Sequence, residues 1–211
     1  MTKRPTIVFD LDGTLVDTAP DLISALNFVL AREGLPGLPV ASARNMIGAG
    51  ARKMLERALE AEGRVVTVKD VDRMTADFVG YYAEHIAEAS RPFEGLEGAL
   101  DRLSGSGCLL AVCTNKLEWL SKRLLDQLKL SPRFAAICGA DTFGVSKPDP
   151  VILQQTVKRA GGDRLHHHGR RCRHRRRRRP QGRSSRDRCQ LRLHRGTDCR
   201  AQAGPTNPPH E

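Results

Sequence analysis

The sequence predicts an α/β fold in which an open, mostly parallel sheet is interrupted, after its first strand, by a helical module. Three observations predict it. A short apolar strand pattern stops abruptly at Asp10; apolar residues then recur at helical spacing as far as about residue 91; and strand and helix patterns alternate again after Gly95. In such sheets ligands bind beyond the carboxyl ends of the strands, so the chemistry is expected in the residues just after each strand.

Pro5-Thr-Ile-Val-Phe9 is a β-branched and aromatic run of the kind found in buried parallel strands. Between Asp17 and Arg91, Leu22, Leu26, Val29 and Leu30 form one helical stripe, and Met54, Leu55, Ala58 and Leu59 form another. The module therefore spans 17–91, and the α/β core spans 1–16 and 92–163. Within that core the pattern predicts a helix around Leu96 to Leu103, a strand over Leu109–Cys113 and a helix from about Leu117 to Leu128. Phe134–Cys138 is a third strand candidate. Cys108, Cys113 and Cys138 lie in apolar segments and read as small buried side chains, not as a disulfide framework.

At 211 residues the chain can hold one core with an inserted module. Its net charge of +11 would ordinarily point to a nucleic-acid or acidic-membrane partner, but the charge is concentrated at one end. Residues 164–211 hold 15 arginines, no lysine, three acidic residues and six of the seven histidines, while the rest of the chain is close to neutral. That stretch contains no Phe, Tyr, Trp, Val, Ile or Met, so it cannot bury enough apolar surface to offset its chain entropy and is expected to be disordered. No basic and apolar leader precedes the first strand, and no apolar run approaches the roughly 20 residues that span a bilayer. The expectation is a cytoplasmic protein with no membrane partner. Oligomeric state is not legible.

Asp10-Leu-Asp12-Gly13-Thr14 follows the first strand at once and places two carboxylates on a turn that Gly13 lets bend. An Asp-rich turn that merely caps the next segment would leave the first carboxylate against an apolar strand end without a purpose. The functional reading makes one Asp a nucleophile toward phosphorus and the other a general acid and base, with Mg²⁺ neutralising the phosphate. Thr114 and Asn115 follow the second core strand, where a lone Thr is usually a helix cap. Lys147 sits between Ser146 and Pro148, where a lone lysine would ordinarily be solvated surface.

Taken together, the string from Asp10 to Thr18 (DLDGTLVDT), Thr114 with Asn115, and Lys147 in Ser-Lys-Pro-Asp-Pro resemble, in order and spacing, three motifs of the haloacid dehalogenase superfamily. The resemblance implies a Rossmann-like parallel sheet core with a helical cap inserted after the first strand, as in the superfamily's first subclass. It implies that Asp10 forms an aspartyl phosphate and that Asp12 protonates the leaving oxygen and then activates water. The Thr114 hydroxyl and nearby N–H groups would hold phosphoryl oxygens, Lys147 would neutralise the nucleophile, and Asp10 and Asp12 would bind Mg²⁺. Ile47-Gly48-Ala-Gly50-Ala-Arg52 and the Cys138 to Lys147 segment resemble the phosphoglycolate phosphatase group, which implies a small phosphorylated substrate, 2-phosphoglycolate, met by Gly13, Asn115, Gly48 and Arg52. A glycine loop that opens a helix can present N–H groups to a carboxylate, and a plain helix-to-helix turn reads the sequence equally well.

The superfamily's fourth motif, an apolar strand followed by Gly-Asp and a second Asp four residues on, is absent. No acidic residue lies between Asp163 and Asp187, so a magnesium site of carboxylate oxygens lacks its third Asp and the C-terminal part of the core is missing. Asp149 and Asp163 are the nearest carboxylates, yet neither follows a strand in the required way. Read one base out of frame, His168 to Arg175 can encode Met-Val-Gly-Asp, three further residues and Asp, and Gln190 to His194 can encode Asn or Ser followed by Phe-Gly-Tyr-Thr. A single lost or gained base near codon 164 accounts for both, and predicts little turnover from the chain as written. Two alternatives explain less. A basic arm binding nucleic acid on a catalytically dead fold has no aromatic residue for base stacking, and a zinc site would have to be assembled from scattered Cys172, His174, Cys189, His194 and Cys199.

Overall fold

Continuous apolar segments become the buried sheet, and the chain alternates around it as the pattern predicts. The computed structural model describes residues 4–162; Asp163, the Arg-rich stretch 164–211 and every expectation attached to them lie outside the described residues. Strand β1 (Thr6–Phe9) delivers Asp10, and after a tight turn β2 (Val16–Asp17) leads into α1 (Ala19–Arg32), with Pro20 in its first turn. A short α2 (Val40–Ala43) is followed by α3 (Ala51–Ala61) and α4 (Val68–Glu84). The chain returns through β3 (Arg91–Pro92), which pairs antiparallel with β2, so one narrow ribbon carries both crossings between sheet and helices.

Beyond the ribbon come α5 (Leu96–Gly105), β4 (Leu109–Cys113), α6 (Glu118–Gln127), β5 (Ala136–Cys138) and α7 (Pro150–Arg159). The sheet is parallel, in the order β1-β4-β5, with Phe9 opposite Val112 and Cys113 opposite Cys138. Asp10, Thr114 and Gly139 thus leave neighbouring strands at the same end. Among the described residues β1 is paired along one edge only, and the hydroxyl of buried Thr6 on that strand has no hydrogen-bond partner.

The helical stripes read from the sequence are buried: Leu22, Leu26, Val29 and Leu30 on α1, and Met54, Leu55, Ala58 and Leu59 on α3. Helix α4 starts with a reciprocal capping box between Thr67 and Asp70 and buries Val71, Met74, Phe78 and Tyr82 against the other two helices. Strand β5 begins two residues later than the predicted Phe134, because the Phe134 N–H closes a tight turn on the Ser131 carbonyl at 3.1 Å before the chain extends. Cys113 and Cys138 are buried, Cys108 is half-buried, and all three are free thiols. No helix among the described residues is long and apolar enough to cross a membrane.

A buried carboxylate fastens the ribbon. Asp21, 4% exposed, accepts hydrogen bonds from the Ala89 N–H (2.9 Å), the Ser90 N–H (2.8 Å) and the Ser90 hydroxyl (2.6 Å). The start of α1 is thereby held to the segment that enters β3. On the outer side Arg44 grips both oxygens of Asp17 at 2.9 Å, and its guanidinium holds that carboxyl below the usual range.

Candidate active site

The turn after β1 is wound mainly by backbone: the N–H groups of Thr14, Leu15 and Val16 converge on the Leu11 carbonyl, and the Gly13 N–H donates to the Val16 carbonyl at 2.8 Å, while the Leu11 N–H donates to Asp10 Oδ1 at 2.8 Å. Gly13 has φ +73°, a conformation that a side chain disfavours, so the spacing of the two carboxylates depends on a glycine there. The turn leaves Asp10 facing Lys147, whose Nζ lies 2.7 Å from Asp10 Oδ1. Asp12 is more enclosed, and its Oδ1 accepts from the Thr18 hydroxyl at 2.8 Å.

From the neighbouring strand, Thr114 donates its N–H to the Cys138 carbonyl at 3.0 Å, and its hydroxyl accepts the Lys116 N–H at 3.2 Å. Asn115 spends its amide on backbone: Oδ1 accepts the Lys147 N–H at 2.9 Å, and Nδ2 donates to the carbonyls of Gly48 at 3.1 Å and Lys147 at 3.4 Å. It therefore braces three segments against one another: the loop after β4, the Lys147 loop and the glycine loop of the inserted helices. Gly139 makes the crowding here tolerable, since a Cβ on it would fall 2.3 Å from the Glu118 nitrogen.

Between sheet and helices lies a cavity of about 230 Å³, lined by Asp12, Asn115 and Lys116 below and by Gly48 to Arg52, Met54, Thr75, Phe78 and Tyr82 above. Small-molecule sites usually run about 300–1,000 Å³, so this one suits a small ligand. Asp10, Gly13, Thr114 and Lys147 are not on its wall. They adjoin it through the Asp10 to Asp12 turn and through Asn115. Gly50, with φ +91°, is the residue from which α3 starts, so the glycine loop does open a helix. Arg52 lines the cavity, but its guanidinium is drawn to the rim by Glu56, at 3.2 Å, and by Asp72.

Two groups at the centre escaped the sequence reading. Lys116 is buried, with Nζ 3.2 Å from Asp12 Oδ1, 3.0 Å from the Tyr82 hydroxyl and 4.1 Å from the centre of the Tyr82 ring. Burial pulls this ammonium's pKa down, but the Asp12 carboxylate and Tyr82 outweigh it, so the group stays firmly charged. Burial pushes the Tyr82 phenol up, so it remains a neutral hydroxyl. The only sequence signal for Lys116 was its place two residues after Thr114. Tyr82 had none, because it falls on the apolar stripe of α4.

Asp10 and Asp12 are hard oxygen donors of the kind Mg²⁺ takes, yet among the described residues no group of three His, Cys, Asp or Glu is placed to hold a metal. Asp149, a candidate third carboxylate, instead caps α7 by accepting the Val151 N–H at 2.8 Å.

A family model described as haloacid dehalogenase-like hydrolase matches residues 7–166. Among curated relatives, the phosphoglycolate phosphatases of Mesorhizobium japonicum and Caulobacter vibrioides are each 48% identical, over 76% and 75% of this chain and 71% and 67% of theirs. The phosphoglycolate phosphatase of Aquifex aeolicus is 37% identical over 74% of this chain and 70% of its own. Among solved structures, one described as a predicted phosphoglycolate phosphatase from Haemophilus somnus superposes with a TM-score of 0.67 at 27% identity, over 76% of this chain and 73% of that one. A hydrolase from Pseudomonas syringae superposes with a TM-score of 0.62 at 24% identity, over 76% and 72%, which bears on the fold alone.

Proposed function

The chain belongs to the haloacid dehalogenase-like hydrolases, and from that premise we propose that it is a phosphatase acting on a small phosphomonoester, 2-phosphoglycolate. The observation that carries this is the Asp10 carboxylate at the end of β1, 2.7 Å from Lys147, with Asp12 two residues further along the same turn. The relatives' activity supports the choice of substrate, and the small cavity beside Asp12 is in keeping with it.

In this reading Asp10 attacks phosphorus, the bond from phosphorus to the glycolate oxygen breaks, and Asp12 gives that oxygen its proton. Asp12 then takes a proton from water, and the water oxygen displaces the Asp10 carboxylate from the phosphoryl group to release phosphate. Lys147 offsets the charge on Asp10 and on the phosphoryl oxygens, and the Thr114 hydroxyl positions one of those oxygens. Mg²⁺ held by Asp10 and Asp12 would neutralise the remaining phosphoryl charge. The helices of 17–91 act as a cap that closes over a core made of 1–16 and 92–163.

The donor set for the metal matches in kind and falls short in number, so turnover of the chain as written is impaired. Residues 164–211 are read in a shifted frame, which is supported by a family match that stops at residue 166 and by the out-of-frame Gly-Asp motif. The test compares phosphate release from 2-phosphoglycolate, with Mg²⁺, by this chain and by a version with the frame restored. The restored protein should release phosphate at least about 10²-fold faster, the scale on which a misplaced catalytic group costs rate. Equal rates would sink the impairment, and no release by the restored protein would sink the phosphatase reading.

A further inference from the structure

Among the described residues, Lys116 is the one buried cation that the proposed chemistry leaves without a task. An ammonium has three N–H donors. Asp12 Oδ1 at 3.2 Å and the Tyr82 hydroxyl at 3.0 Å take two, and among the described residues the third has no acceptor. Burying a charge is costly unless it is fully paired, so an ammonium on the wall of a cavity that keeps one N–H donor open beside Asp12 and the Tyr82 hydroxyl and ring is poised for an anion. Arg52, the other cation on that wall, is turned away at the rim, where Glu56 and Asp72 occupy it. Lys147 is already committed to Asp10, on the phosphoryl side.

The site thus holds two separated positive points, Lys147 beside the nucleophile and Lys116 at the cavity. We propose that Lys116, held by Tyr82, is the specificity-determining residue that receives the second anionic group of the substrate, a carboxylate close to the phosphate. This rests on the phosphatase reading and deepens it: the substrate class is small phosphomonoesters bearing a carboxylate, and a core lysine, not the arginine of the inserted helices, selects them. The third N–H would take a carboxylate oxygen, and the apolar wall of Met54 and Phe78 would strengthen that bond by excluding water.

The test is calorimetric titration of the full chain, without added divalent metal so that the ligands stay intact, with 2-phosphoglycolate and with ethyl phosphate, which lacks the carboxylate. The wild type should prefer 2-phosphoglycolate. Lys116→Met should lower that affinity at least about tenfold, the scale of one charge-assisted hydrogen bond, and ethyl phosphate affinity by less than about threefold. Lys116→Arg should retain part of the preference. Should Lys116→Met lose the wild-type melting transition, Lys116→Gln, which keeps a donor for Tyr82, carries the same expectation. Equal loss for both ligands, no loss for either, or a selective loss in Arg52→Met but not in the Lys116 variants would each overturn the proposal. Wild-type binding to both ligands without preference would overturn it alone, whereas wild-type binding to neither would remove the phosphatase reading with it.

Discussion

The two sides of the cavity are built on opposite principles. Its core side carries the charged groups Asp12 and Lys116, with Asp10 and Lys147 adjoining them, on loops that begin where parallel strands end. Its helical side is apolar, with Met54 and Phe78 facing inward, 2% and 1% exposed, and Arg52 bonded outward at the rim. The Tyr82 hydroxyl reaches across to Lys116, and the Asn115 amide reaches back to the Gly48 carbonyl. Charge needs fixed geometry, which a hydrogen-bonded ladder supplies. Shape selection and water exclusion need an apolar surface, which packed helices supply. Activity and stability should therefore respond to different halves of the site.

The largest effect is expected on the core side. Asp10→Asn in the frame-restored protein should lower phosphate release by on the order of 10⁴-fold or more, while its urea midpoint moves little. A loss of stability in step with the loss of rate would erase the distinction between the halves. On the helical side the sign of the contrast reverses: Phe78→Ala should cost about 3–5 kcal/mol of stability in urea unfolding, by opening a cavity among α1, α3 and α4. Its folded fraction should retain far more activity than Asp10→Asn does.

The ribbon between the halves is the next test. Asp21→Ala strips the acceptor from two backbone N–H groups and a hydroxyl in a buried place, and should cost about 2–3 kcal/mol. Denaturation as cooperative as the wild type's, with an unchanged midpoint, would show that the Asp21 anchor is not what joins the halves. The smallest effect belongs to Asp17 and Arg44 on the outside. Because the folded pKa of Asp17 is lowered, its contribution is complete above the unfolded value near 3.8 and disappears as pH falls below that value through the folded pKa. Solvent screens this pair, so Arg44→Ala should cost under about 1 kcal/mol at neutral pH and nothing measurable in strong acid, as thermal melts at the two pH values would report.

Most of the architecture was readable because it depends on local pattern. The stripes on α1 and α3 come from the period of 3.6, and β4 from a continuous apolar run buried on both faces, local signals that survive any tertiary arrangement. The extent of β5 was less legible, since the turn at Ser131–Arg133 borrows the Phe134 N–H. Asp10, Asp12, Thr114 and Lys147 were legible as candidates because each directly follows a strand or carries a motif, and the structure brings Asp10 and Lys147 to 2.7 Å of each other. Asn115 and Arg52 were candidates too, but hydrogen bonding puts the first to work as a brace and holds the second at the rim.

By itself, then, the sequence determined where strands deliver carboxylates, which residues turn inward and which chemistry the Asp10 turn can support, because these follow from adjacency and period along one chain. Only the tertiary structure decided that Lys116 is buried between Asp12 and Tyr82, that Arg52 is spent on Glu56 and Asp72, and that Asp21 ties the start of α1 to Ser90. The partners in these contacts come from different elements, Lys116 and Tyr82 34 residues apart and Asp21 and Ser90 69 apart. Such contacts exist only once packed helices and a hydrogen-bonded sheet have excluded water, and with it the option of leaving those charges solvated.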